Sequence, residues 1–97
     1  MAQITLEGNR WLVSGDMTMA EVNSLLSASA VLPITPEVEI DLTQVSDVDS
    51  VSISLLFEWL RQACVRKSKV TYSNLPQNLI SLATLYGVFE LIPQAKH

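Results

Sequence analysis

The chain reads as a small α/β protein: a mixed, mostly parallel sheet of about four to five strands, opened by an antiparallel hairpin and packed with about three helices. Three observations predict this. Strand-like alternation and helix-like periodicity take turns along the chain, the pattern of parallel strands joined by crossover helices. The two first alternating runs are separated only by turn residues. Finally, 48% of the 97 residues are hydrophobic, which supplies one core and excludes a disordered chain.

The elements follow in order. Ile4 to Leu6 and Arg10 to Val13 alternate apolar and polar residues around Glu7-Gly8-Asn9, a hairpin signal. Gly15-Asp16 is expected to break the second strand. Thr18 to Leu32 has helical spacing, with Met19, Val22, Leu25, Leu26 and Ser29 on one face. Thr18 and Glu21 match a capping box, and Pro33 and Pro36 end the helix. Val38 to Leu42 is a β-prone alternation, and the polar run "TQVSDVD" after it reads as a loop.

A second helix is expected from near Ser50 to near Lys67, and a further strand from Lys69 to Ser73. Pro76 suits the start of a third helix, whose apolar stripe is Leu79, Leu82, Ala83 and Tyr86. Gly87 then fits a left-handed helix cap, and "VFELI" a last short strand or extended tail.

Charge and composition narrow the function classes. The net charge of -4 carries no basic nucleic-acid footprint. Arg66, Lys67 and Lys69 read as cations at a helix C-terminus, where the dipole favours them. The single cysteine, Cys64, reads as a small buried hydrophobe, and with one cysteine no internal disulfide or cysteine metal cluster can form. The start "MAQITLEGNRW" lacks a secretory pattern, and no apolar run approaches the roughly 18 residues of a membrane span. The chain is therefore expected in the cytoplasm without direct membrane insertion, held peripherally at the inner membrane only through a partner. The lone histidine, His97, is the last residue, so no Ser-His-Asp or Cys-His set can be assembled. Asp47 and Asp49 fit a solvated turn better than a metal site. Neither catalytic residues, metal nor cofactor are expected.

The second helix holds most of the functional signal. At about 100° per residue, Ile53, Leu56, Phe57, Leu60, Ala63 and Cys64 share one broad core face. Val51, Leu55 and Trp59 form a separate row, rimmed by Ser54, Glu58, Arg61 and Gln62. An apolar row with a polar rim has the form of an interface, and tryptophan is a common anchor. The competing reading packs this row beneath the first or third helix. Ser50 stands at the start of the row. Pattern alone favours it as the helix cap, with Asp49 as the competing cap that would leave Ser50 facing solvent.

The order of elements together with "VEIDLTQVSDVDSVSISLLFEWL" resembles the STAS domain family. The family pattern is a strand ending in Asp-Leu, a loop, then Asp-Ser/Thr-x-Gly-Leu opening a helix. Asp41-Leu42, Asp49-Ser50 and Ile53 carry the match. Ser52 stands where the family usually has glycine, which is expected to hold a bulky partner further off and to favour contact over phosphorylation at Ser50. The stretch "LPQNLISLATLYGVFELIP" is similar to the small STAS subunit of Mla-type phospholipid ABC transporters, through Leu82-Ala83-Thr84-Leu85-Tyr86 and Ile92-Pro93.

The resemblance implies one STAS domain over residues 1–97 that binds the transporter's ATPase subunit and supports lipid transport without catalysis. It places Asp49, Ser50, Val51, Ser54, Leu55, Glu58 and Trp59 at the partner. The alternative it implies is an anti-sigma factor antagonist, with Ser50 as phosphoacceptor for an anti-sigma factor kinase.

Overall fold

The computed structural model describes residues 2–32 and 35–95. Pro33, expected to end the first helix, and His97 lie outside the described residues. Two strands open the chain, β1 (Gln3–Glu7) and β2 (Arg10–Met17), followed by helix α1 (Val22–Ala30). Then come β3 (Glu37–Val48), α2 (Ser50–Val65), β4 (Lys69–Ser73) and α3 (Gln77–Leu85). A 3-10 turn at Phe89–Leu91 stands where a last strand or tail was expected.

The four strands form one sheet in the order β1-β2-β3-β4. β1 and β2 are antiparallel, and β2-β3 and β3-β4 are parallel, as the fold class predicts. Gly8, at φ 64, takes the first position of the two-residue hairpin turn, a conformation that costs glycine nothing.

Strand alternation builds the two faces. Trp11 and Val13 of β2, Val38, Ile40 and Leu42 of β3, and Val70 and Tyr72 of β4 are all buried. Leu25 of α1, Leu55, Leu56 and Trp59 of α2, and Leu79 and Ala83 of α3 join them in one core. The opposite sheet face carries Thr5, Arg10, Glu39, Thr43 and Thr71, none of them buried. A half-solvated sheet with this clean alternation is normal where helices cover one side.

Several boundaries differ from expectation. β2 runs through Gly15 to Met17, because Gly15 at φ 90 absorbs an irregularity instead of ending the strand. β3 continues through the supposed loop to Val48, with Ser14, Gly15 and Met17 pairing Gln44, Val45 and Val48. Only Val45 of this extension is buried; Thr43, Gln44, Ser46 and Asp47 are exposed, which is why the segment reads as a loop. α1 begins at Val22, and its N-cap Glu21 makes no side-chain cap bond, so the Thr18–Glu21 capping box does not form. Residues 18–21 are a turn instead, closed by Glu21 N–H to the Thr18 carbonyl at 2.9 Å.

Candidate functional site

The entry into α2 is built by mutual hydrogen bonds. Asp49 is the N-cap, in extended backbone (φ -143, ψ -171). Its Oδ1 accepts from the Val51 amide at 2.9 Å, and its own amide donates to Ser52 Oγ at 3.1 Å. This reciprocity is a capping box, with serine in the role usually held by Glu or Gln. The cap is therefore Asp49, and Ser50, the first helical residue, is exposed. Its hydroxyl has no hydrogen-bond partner among the described residues.

Ser52 resolves differently from the sequence reading. It is fully buried, and its hydroxyl also donates to the Met17 carbonyl. A serine in place of glycine thus does not stand between the helix and a partner; it ties α2 to the end of β2. The second Asp49 oxygen accepts from the Met19 amide at 3.1 Å. The turn at residues 18–21 is held against the start of α2 on both sides of Thr18.

The partner-facing row needs correction. Leu55 and Trp59 are each 2% exposed and belong to the core. Trp59 Nε1 donates to Ser29 Oγ on α1 at 3.0 Å, and its ring meets Trp11 edge-on with centroids 5.8 Å apart. The competing reading, burial under the first helix, is the one the structure shows. Cys64, expected in the core, is exposed, and Phe57 and Leu60 are only half-buried. The buried arc of α2 is centred nearer Ala63 than Leu60, a rotation of roughly 60° from the expected stripe.

Of the expected row and its rim, Ser50, Ser54 and Arg61 face outward, with Val51 and Glu58 half-buried beside them. Glu58 accepts from Arg61 Nε at 2.9 Å and Arg61 Nη2 at 2.6 Å, and from Gln62 at 3.1 Å. The Arg61 bonds, joined by that from Gln62, outweigh slight desolvation and lower the Glu58 carboxyl pKa, so it is an anion at neutral pH.

The cleft between Trp11 and Trp59 encloses about 30 Å³, room for one water molecule. Among the described residues no group of three or more His, Cys, Asp or Glu could hold a metal ion. The candidate residues at the start of α2 present hydroxyls and carboxylates on an outward surface.

A family model described as Mlab, STAS domain, matches residues 2–93. The chain belongs to the STAS domain family. No curated protein matches the chain. Among solved structures, this STAS domain is similar to the anti-sigma factor antagonist SpoIIAA in its unphosphorylated form. The TM-score is 0.72 at 12% identity, over 100% of this chain and 90% of that one. It is equally similar to an anti-sigma factor antagonist from Mycobacterium paratuberculosis, with TM-score 0.72, 17% identity, and 100% and 86% coverage. At such identities the likeness is one of fold. No helix among the described residues of this STAS domain is long and apolar enough to cross a membrane.

Proposed function

We propose that residues 1–97 act as one non-catalytic STAS domain that binds the cytoplasmic ATPase subunit of an Mla-type phospholipid ABC transporter. Its place would then be in the cytoplasm, at the inner membrane only through that complex. The observation that carries this reading is the match over residues 2–93 to the family model described as Mlab, STAS domain. The exposed start of α2 supports it: Ser50 and Ser54 point outward, flanked by Asp49, Val51 and Glu58. Leu55 and Trp59 support the surface from beneath and do not touch the partner.

The test is calorimetric titration of the purified chain with the Mla-type ATPase subunit of the same genome. Ser50→Asp places a charge in the middle of the contact and is expected to weaken binding by at least about tenfold, because a desolvated unpaired charge is costly. Unaltered affinity would remove Ser50 from the interface.

A second reading is an anti-sigma factor antagonist phosphorylated on Ser50 by an anti-sigma factor kinase. The shared fold with two such antagonists and the free Ser50 hydroxyl favour it. Against it, the Asp49 carboxylate already takes the Val51 amide that a helix N-terminus would offer a phosphate. Intact-mass measurement after incubation with kinase and ATP separates the two readings.

A further inference from the structure

Helical spacing puts Met19 on one face with Val22, Leu25, Leu26 and Ser29, yet it precedes α1 and is 70% exposed. The turn that carries it is fixed at several points. Met17 before it is buried, and its carbonyl accepts from Ser52 Oγ. The Met19 amide donates to Asp49 Oδ2, and at the far end Glu21 Oε1 accepts from the Ala2 amide at 2.8 Å. The backbone of Met19 is thereby held against the residue that precedes Ser50, while its side chain stands in solvent. An unbranched thioether on an anchored backbone combines a fixed position with an adaptable tip, a combination well suited to filling an apolar pocket. The surrounding residues supply little apolar area of their own: Ala20, Ser50 and Ser54 are small and exposed, and Val51 is half-buried.

We propose that Met19 is the specificity-determining anchor of the Ser50 surface, entering an apolar pocket of the partner while Ser50 and Ser54 line the polar edge. This rests on the reading that the surface binds the ATPase subunit. The β2-α1 turn and the first turn of α2 then form one recognition unit, joined by Asp49 and Ser52.

The experiment is titration of the full chain against the same ATPase subunit with Met19→Ala, Met19→Leu and Ser50→Asp, alongside thermal melts. Burying a methionine side chain corresponds to about a ten- to hundredfold gain in affinity. Met19→Ala is therefore expected to weaken binding by at least about tenfold, and Met19→Leu by no more than about threefold. Both variants keep the wild-type melting temperature, since the side chain is in solvent. Binding by Met19→Ala within about twofold of wild type, with Ser50→Asp still impaired, overturns the anchor and leaves the ATPase reading standing. Equal losses with Ala and Leu overturn it as well, because an apolar pocket accepts leucine. Failure of the wild-type chain to bind overturns the ATPase reading and the anchor together.

Discussion

Asp41 lies on the sheet face that the helices leave open, yet it is only 6% exposed. Its Oδ1 accepts from the Thr43 amide at 2.8 Å and from Asn74 Nδ2 at 3.2 Å, and its Oδ2 pairs with Arg10. Burial alone would raise its pKa. The Thr43 hydroxyl and amide, Asn74 and Arg10 together outweigh burial and hold the carboxyl below its ordinary value. A depressed folded-state pKa adds stability above the unfolded value of about 3.9, and that stability is lost as pH falls through the lower folded value. Urea unfolding as a function of pH is expected to show this acid loss in the wild type and a shallower one in Asp41→Asn. At neutral pH the substitution is expected to cost about 1.5–3 kcal/mol, the range for hydrogen bonds to a charged group. In sequence, Asp41 is legible only as the end of a strand motif, because its partners Arg10 and Asn74 are each more than thirty positions away. Ser52 was hidden through its second bond: one reaches Asp49, three residues back, but the other reaches Met17 at the end of β2.

At the scale of elements, helix ends were legible where a single residue type marks them. Gly87 follows α3 at φ 72, with its amide on the Thr84 carbonyl and the Val88 amide on Ala83, a Schellman motif. α2 ends in the same geometry without a glycine. Lys67 stands at φ 57, its amide on Cys64 and the Ser68 amide on Ala63. A lysine in this left-handed conformation pays a steric penalty that glycine escapes. Lys67→Gly is expected to stabilise the fold by about 0.5–1 kcal/mol, read as a shift in the denaturation midpoint at constant slope. The rotation of α2 was not legible. Its apolar residues span more of the circumference than one face can bury, so periodicity fits two stripes. The choice falls to Trp59, whose indole finds Ser29 and Trp11 on neighbouring elements.

At the scale of the molecule, the segment after the 3-10 turn covers part of the β4 edge. The Tyr72 amide donates to the Pro93 carbonyl and the Ala95 amide to the Tyr72 carbonyl, both at 2.8 Å, while Ile92 is buried at 3% exposure. Unpaired strand edges invite pairing with another chain. Deletion of residues 93–97 is expected to lower stability by about 1–3 kcal/mol through the two lost backbone bonds. It is also expected to raise self-association, which sedimentation velocity measures.

Alternation and helical spacing were enough for the element order, the opening hairpin, the parallel crossovers and the position of Asp49-Ser50 at a helix start, because these follow from local periods and turn chemistry. The family pattern in "DVDS" was likewise local. Which side of α2 meets the core, and that Met19 stands in solvent beside Ser50, depend on contacts between residues about thirty positions apart. Such contacts leave no periodic trace in the chain. They arise only when β2, α1 and α2 are brought together, and they take Leu55 and Trp59 out of the candidate surface while leaving Ser50 and Ser54 on it, with Met19 proposed beside them.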